Sequence, residues 1–195
     1  MQKRVGLPFV ILLTIYLAGC DIFTARTPEE PETARSTYSF PATPELVISN
    51  FTNSLIEKNT QNYAACFVDS IHSTRVYRFI PAVGASSRYP AFLNGWNLKS
   101  EQDYLNNTFS KMSTTGQISI SLGSESYARY ADSVQYTAVY TLQIPFKGAA
   151  APTQYSGQMR ISMIVDSQSA WVITIWEDTK IGTADCWSDL KGTNY

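Results

Sequence analysis

The stretch Val134-Gln-Tyr-Thr-Ala-Val-Tyr-Thr-Leu-Gln-Ile144 decides the fold. Apolar or aromatic side chains alternate with mostly polar ones along its whole length: Val134, Tyr136, Ala138, Tyr140, Leu142 and Ile144. A period of two residues places these six side chains on one face of a β-strand. The stretch therefore predicts a long strand that is buried on one face.

Three further strands are predicted around this one. Residues 118–122 and 155–165 also alternate with a period of two, whereas Trp171 to Trp176 is apolar on both faces and predicts a central or doubly covered strand. Polar loops are predicted at 124–132, 145–153 and 166–169. Four consecutive strands joined by loops of this kind indicate an antiparallel meander.

The residues before the strands carry a helical period instead. Thr43 is a fair N-cap and Pro44 suits a first helical position, so a helix is predicted from there to about Lys58. A short helix at 61–68 and a helix that begins at Ser100 and ends near Met112 follow. Residues 75–80 predict a short strand, and residues 84–90 a loop. The predicted core contains Val47, Phe51, Leu55, Phe109, Ile161, Ile173 and Ile175.

This order of elements resembles the NTF2-like superfamily. Asn62-Tyr-Ala-Ala-Cys-Phe-Val-Asp69 looks like the second helix of that family, and Trp171-Val-Ile-Thr-Ile-Trp-Glu-Asp178 looks like its last strand. The resemblance implies an α+β cone over residues 43–195, in which three N-terminal helices pack on a curved antiparallel sheet of four or more strands. It also implies a pocket at the open end of the cone, and Trp187 and Leu190 are expected to cover one end. Members of the family are enzymes, ligand binders or dimerisation modules, and a homodimer through the sheet face is one expectation.

The N-terminus resembles a bacterial lipoprotein signal peptide. Lys3 and Arg4 precede an apolar run, and Leu17-Ala-Gly-Cys20 matches the lipobox. The apolar run is too short for a transmembrane helix, which needs about 20 residues. The resemblance implies that residues 1–19 are removed, that Cys20 is lipidated and that residues 20–42 form a flexible tether. The domain is then expected outside the cytoplasm in the cell envelope, held to the lipid bilayer by Cys20.

Composition narrows the classes of ligand. The chain has a net charge of −1 and no basic stripe, so nucleic acid is not an expected partner. His72 is the only histidine, no phosphate-binding or dinucleotide-binding loop is present, and therefore neither a metal nor a cofactor is predicted. Cys66 and Cys186 remain beside Cys20. They are either a disulfide of an exported domain or two separate buried thiols.

The candidate catalytic residues are few. By analogy with ketosteroid isomerase, Asp69 could be a general base and Tyr136 or Tyr140 the opposing hydrogen-bond donor. His72 could titrate near neutral pH. The competing interpretation places Asp69 and His72 in solvent and the two tyrosines in sheet packing. Because the sequence has no nucleophile elbow, the preferred function is a non-catalytic module that binds a ligand or partner protein. The alternative is a small pocket enzyme of the isomerase or hydrolase type.

Overall fold

The structure is a computed structural model that describes residues 36–151 and 153–195. The predicted signal peptide, the lipidated Cys20 and most of the predicted tether lie outside the described residues. Within the described part of the chain, no helix combines the length and the apolar character needed to cross a bilayer.

Five strands form one sheet, in the order β1-β5-β4-β3-β2. Their bounds are Arg78–Ile80 (β1), Ser119–Arg129 (β2), Ser133–Ile144 (β3), Thr153–Val165 (β4) and Trp171–Lys180 (β5). Strands β2 to β5 pair antiparallel with their neighbours in sequence, so the predicted meander is confirmed. The short β1 pairs with β5 in parallel, which leaves β5 inside the sheet.

The helices are Pro44–Ile56 (α1), Thr60–Ala64 (α2), Ala85–Arg88 (α3), Leu98–Lys111 (α4) and Trp187–Asn194 (α5), with a 3-10 helix at Pro90–Asn94. The predicted cap of α1 is confirmed, because the Thr43 hydroxyl accepts a hydrogen bond from the Leu46 amide at 3.4 Å. The side chain of Asn59 caps α2 in the same way, at 3.0 Å from the Asn62 amide.

Several predicted boundaries are wrong for identifiable reasons. Helix α2 ends at Ala64 because the chain leaves it to pair with β5: the Ile173 amide donates to the Cys66 carbonyl, and the Val68 amide donates to the Ile173 carbonyl. Helix α4 begins at Leu98, since Asn97 is its cap and not Ser100. The predicted loop at 84–90 contains α3 and the first residue of the 3-10 helix.

The predicted loop at 124–132 is also wrong. Strand β2 continues to Arg129 through a register shift between Gly123 and Ser126, and only residues 130–132 turn into β3. Ser124 has a φ of 52° at this irregularity. A second register shift lies between Ser162 and Met163. Bulges of this kind bend a strand and increase its twist, so they favour a curved sheet over a flat one.

Residues 36–42 pack on the domain, although the sequence predicts that they belong to the tether. The Asn50 amide group exchanges hydrogen bonds with the backbone of Ser39, at 3.0 and 2.6 Å. The Pro41 carbonyl accepts from the Trp171 amide at 2.8 Å. The folded domain therefore includes these residues, upstream of the predicted start at Thr43.

The core lies between the helices and one face of the sheet. Five of the seven predicted core residues are buried, namely Val47, Phe51, Leu55, Ile161 and Ile173. Phe109 and Ile175 are only half-buried. Trp187 and Leu190 of α5 are 0 % and 1 % exposed. The C-terminal helix of the chain therefore packs its side chains into the interior of the cone.

Candidate functional site

The last helix, α5, occupies the interior of the cone. The indole ring of Trp187 packs edge-on against Trp176 of β5, with ring centroids 4.7 Å apart, and against Tyr140 of β3 at 5.1 Å. It also contacts Phe51 of α1 at 5.7 Å. All four side chains are fully buried. One residue of α5 therefore joins the sheet to the helical layer.

Lys191, one turn later in α5, carries a charge into the same interior. Its side chain has no exposed surface, and its ammonium group pairs with the carboxylate of Glu101. The ammonium nitrogen lies 3.6 Å from the ring centroid of Phe79 and 3.7 Å from that of Trp176. Cations are attracted to the electron-rich faces of aromatic rings, most strongly where water is excluded. Lys191 therefore has both an anionic and an aromatic partner.

Glu101, in the first turn of α4, is the acceptor at the centre of this cluster. Its Oε1 atom accepts hydrogen bonds from the Tyr77 hydroxyl at 2.5 Å and from the Trp96 indole at 2.8 Å, in addition to Lys191. Its Oε2 atom accepts from the Tyr63 hydroxyl at 3.1 Å. A buried charge is tolerated when it is paired and fully hydrogen-bonded, and Glu101 meets both conditions.

Burial shifts the pKa values of the cluster. Desolvation lowers the pKa of Lys191 to about 8, and the attraction of Glu101 offsets only part of this effect. Burial first, and the charge of Glu101 second, raise the pKa of Tyr63, Tyr77 and Tyr104 well above their usual value. These tyrosines therefore stay protonated and serve as hydrogen-bond donors.

A second buried carboxylate, Asp178 at the end of β5, fixes the start of α5. It accepts from the Tyr140 hydroxyl at 2.7 Å, from the Ser188 amide at 2.7 Å and from the Ser188 hydroxyl at 2.6 Å. The oxygen of Tyr140 in turn accepts from the Trp187 amide at 2.7 Å. A negative charge at a helix N-terminus satisfies free amides and complements the helix dipole, so Asp178 and Tyr140 together anchor α5.

The structure does not bring the sequence-predicted catalytic residues together. The hydroxyl group of Tyr140, from β3, contacts the start of α5. Burial and the neighbouring Asp178 raise the pKa of Tyr140. Tyr136 donates to Glu125 of β2 at 2.8 Å. Neither tyrosine hydrogen-bonds Asp69 within the described residues.

Asp69 and His72 pair with each other on a loop after α2. The Nδ1 atom of His72 lies 3.0 Å from the Oδ2 atom of Asp69, and its Nε2 atom lies 2.9 Å from the Gln168 side-chain nitrogen. Partial burial acts to raise the pKa of Asp69, but hydrogen bonds from His72 and from the Ile71 amide outweigh it and lower the pKa. A lowered pKa makes Asp69 a weaker base. The pair lines a surface pocket of about 190 Å³ that Tyr136 and Tyr140 do not reach.

Cys66 and Cys186 are free thiols, so the disulfide considered from the sequence is not formed. The Cys66 thiol donates to the Asn62 carbonyl at 3.3 Å, and the Cys186 thiol lies 3.4 Å from Asp189. Burial raises the pKa of both thiols, in Cys186 to about 12. Each is therefore a small buried side chain of low reactivity.

The sequence patterns did not indicate Glu101, Asp178 and Lys191 as site residues. A weak signal existed for Lys191, because it lies four residues after Trp187 and therefore on the same face of a helix that was expected to cover the cone. Among the described residues, Trp176 Nε1 is the one buried side-chain nitrogen or oxygen without a hydrogen-bond partner. No set of three metal-ligating side chains occurs in the part of the chain that the structure describes.

The buried lysine predicts an unusual dependence of stability on pH. Lysine titrates near 10.5 in the unfolded chain and Lys191 near 8 in the folded protein, so the unfolded state binds more protons between these values. Stability therefore rises with pH in this window, by on the order of 1–2 kcal/mol up to about pH 9.5. Above about pH 10 it falls, because the unfolded tyrosines ionise while the buried ones keep their protons.

Urea denaturation at a series of pH values measures this profile. The variant Lys191→Met is the control, since it keeps the length of the side chain and removes the titrating group. It is expected to lose the rise above pH 8 and to keep the fall above pH 10. Identical profiles for the two proteins would contradict the assignment.

Gly157 in β4 is predicted to tolerate no side chain. A Cβ atom there would lie 2.6 Å from the Tyr140 hydroxyl oxygen and 2.7 Å from the Thr179 carbonyl oxygen. Gly157→Ala therefore displaces Tyr140 and is expected to cost about 1–3 kcal/mol of unfolding free energy. Gly123→Ala in β2 is the matched control, because nothing lies within 4 Å of its added Cβ. Equal unfolding midpoints in urea for the two variants would contradict the prediction.

Comparison with known proteins supports the fold and goes no further. No protein-family model and no curated protein sequence matches the chain. Among solved structures, a protein from Novosphingobium aromaticivorans, proposed to be an aromatic ring hydroxylase, superposes with a TM-score of 0.57 at 12 % identity, over 75 % of this chain and 92 % of that one.

Two further structures carry the name of the fold. A proposed dehydratase of the NTF2-like family from Streptomyces avermitilis gives a TM-score of 0.53 at 9 % identity, over 71 % of this chain and 94 % of that one. An NTF2-like superfamily protein from Salmonella enterica serovar Typhimurium gives a TM-score of 0.52 at 8 % identity, over 70 % of this chain and 87 % of that one. Identities this low say nothing about the chemistry of this chain, but the superpositions support the fold. The chain has the NTF2-like fold.

Proposed function

We propose that this chain is an exported lipoprotein whose domain works as a non-catalytic binding module. The observation that carries the proposal is the filled cone: Trp187 and Lys191 of α5 occupy the interior, and the two carboxylates there, Glu101 and Asp178, accept hydrogen bonds from protein groups. A catalytic acid or base must reach a substrate atom within hydrogen-bond distance. Neither carboxylate faces open space.

The surface pair Asp69–His72 supports the same proposal. Both ring nitrogens of His72 face protein groups, and Asp69 binds the ring and two backbone amides. Together they hold the loop after α2 against the β4–β5 turn, where the Ser167 amide donates to the His72 carbonyl at 3.0 Å. These contacts support a structural role for the pair.

Membrane attachment is the second part of the proposal, and it rests on Lys3-Arg4, the apolar run and Leu17-Ala-Gly-Cys20. Two or three acyl chains give stable anchoring where one chain does not. The full-length chain is expected in the membrane fraction with a mass that corresponds to acylated Cys20 and the loss of residues 1–19. Cys20→Ser is expected in the soluble fraction. An unmodified Cys20 or a retained Met1 would refute the anchor.

The absence of catalysis is tested with a metabolite extract prepared from the envelope of the cells that produce this protein. The purified chain is incubated with the extract, and mass spectrometry follows both the bound and the free compounds over time. The proposal expects a bound compound that is recovered unchanged. Time-dependent conversion that Asp69→Asn abolishes would establish the alternative, an isomerase or hydrolase that uses Asp69.

Self-association through the sheet face belongs to the same proposal. The face of β3 to β5 that points away from the helices carries polar side chains such as Thr137 and Gln158, an Arg160–Glu177 ion pair and the partly exposed Val139. Light scattering of the chain at several concentrations measures the dimer. Val139→Glu is the variant expected to weaken it, because it places charge in the centre of that face.

A further inference from the structure

An open cleft lies beside the C-terminal end of α5. It has a volume of about 650 Å³, and its walls come from the end of α4, the residues after β3, the start of β4 and the end of α5. Lys111, Lys147 and Thr193, which line it, are exposed. Small-molecule sites usually have volumes of about 300–1,000 Å³. The cleft is therefore large enough for a small organic ligand, and solvent reaches it.

Two lysines are held next to each other at this cleft. The backbone brings them together, because the Lys147 amide donates to the Lys111 carbonyl at 3.0 Å. The Lys111 ammonium group donates to the Asn194 side chain at 3.0 Å, and the Lys147 ammonium group donates to the Ser110 carbonyl at 2.9 Å. Both ammonium groups are therefore positioned at the cleft before a ligand arrives, which lowers the entropy cost of binding.

Neither of these ammonium groups pairs with a carboxylate among the described residues. The acidic residues of the two flanking helices pair with other cations: Glu101 with Lys191, Asp103 with Lys99, and Asp189 with Arg88 and Lys180. An ammonium group has three N–H donors, and each of the two at the cleft uses one of them on a neutral oxygen. The remaining donors and both positive charges are complementary to an anion.

Aromatic rings provide the apolar part of the cleft. Tyr155 at the start of β4 is 7 % exposed, Phe146 after β3 is half-buried, and both line the cleft. Aromatic side chains offer large, rigid contact surfaces and pack favourably on other rings. Hydrogen bonds from an ammonium group to a carboxylate are about twice as strong as those between neutral groups. A ligand that carries both a ring and a carboxylate would use both parts of the cleft.

We propose that this cleft binds a small organic anion in which a carboxylate is attached to an aromatic ring system. Lys111 and Lys147 bind the carboxylate, and Phe146 and Tyr155 pack on the ring system. The proposal rests on the proposed binding function and names its ligand class. No bond of the ligand is made or broken, so the ligand leaves the cleft unchanged.

Isothermal titration calorimetry of the full-length chain with 2-naphthylacetate and with its neutral amide, 2-naphthylacetamide, is the test. The two compounds have nearly the same shape, and only the first is charged. We expect the Kd of the carboxylate to be about 5- to 10-fold lower than that of the amide, because two partly exposed ion pairs contribute modestly. Added salt is expected to reduce this preference. Acetate, which has the charge and no ring, is expected to bind at least about 10-fold more weakly than 2-naphthylacetate.

Variants of the two lysines locate the site. The double variant Lys111→Met, Lys147→Met keeps the apolar stems and is expected to bind the carboxylate and the amide equally. The double variant Lys111→Arg, Lys147→Arg keeps both charges and is expected to keep the preference, as is Lys99→Met, which removes an exposed lysine elsewhere. Because both lysines are exposed, all three proteins are expected to unfold in urea near the wild-type midpoint. If the methionine variant does not fold, amide NMR shifts of the wild-type chain replace it, and 2-naphthylacetate is expected to shift residues 110–111, 146–147 and 193–194.

Equal affinity for the carboxylate and the amide, no binding of either, or a preference that the methionine variant retains would overturn the proposal. Acetate that binds as tightly as 2-naphthylacetate, or NMR shifts confined to other residues, would also overturn it. These outcomes leave the proposed function standing, because a binding module could use another surface. Conversion of an envelope metabolite by the wild-type chain would instead overturn the proposed function without changing these affinities.

Discussion

Replacing Glu101 with alanine is expected to lower the unfolding free energy by about 3–5 kcal/mol. The change leaves the ammonium group of Lys191 buried without a counter-ion and removes the acceptor of Tyr77 and Trp96. A buried charge without a partner costs far more than the net contribution of the pair that it belonged to. Urea denaturation at pH 7 measures the loss.

Two variants control for this effect. Glu177→Ala breaks a surface ion pair with Arg160 and is expected to cost at most about 1 kcal/mol. The double variant Glu101→Gln, Lys191→Met removes both charges and keeps most of the volume, so it is expected to be more stable than Glu101→Ala. A loss in Glu101→Ala no larger than that in Glu177→Ala would show that Glu101 and Lys191 are not buried together.

Replacing Trp187 with alanine has the second large expected effect, a loss of about 3–5 kcal/mol. Trp187 is fully buried against Phe51, Tyr140 and Trp176, and its indole nitrogen donates to the Tyr104 hydroxyl at 3.2 Å. The substitution opens a cavity and leaves the start of α5 without its main apolar contact. Thermal and urea unfolding both measure the loss.

Tyr130→Ala is the control for Trp187, because it removes an aromatic ring that is 62 % exposed. Surface substitutions of this kind usually change stability by no more than about 0.5 kcal/mol. Faster amide exchange across residues 187–194 in Trp187→Ala, but not in Tyr130→Ala, is also expected. Wild-type stability in Trp187→Ala would mean that α5 does not occupy the cone.

The sequence was most informative where a pattern is local and repeated. Alternation along 134–144 identified β3, and Thr43 with Pro44 identified the start of α1, because strand faces and helix caps depend on neighbouring residues. The predicted ends of strands and helices were wrong where tertiary contacts determine them. The irregularity at Gly123 and Ser126 extends β2, and pairing with β5 ends α2.

The candidate site could not be predicted for a related reason. Glu101 and Lys191 are 90 residues apart in sequence and meet only after α4 and α5 have packed. Charged residues are almost never fully buried unless they are paired, so the sequence alone favours exposure for both. The catalytic residues considered from the sequence were chosen by analogy with ketosteroid isomerase, and that analogy did not indicate that Trp187 and Lys191 of α5 are buried in the interior.

Helix α5 places the Lys191 ammonium group among aromatic rings inside the cone. A proton–nitrogen correlation spectrum of the lysine ammonium groups observes it directly. We expect one signal that is shifted upfield by the rings of Phe79 and Trp176, exchanges slowly with water, titrates near pH 8 and is absent in Lys191→Met. A spectrum in which every lysine signal exchanges rapidly and titrates near the ordinary pKa of lysine would contradict it.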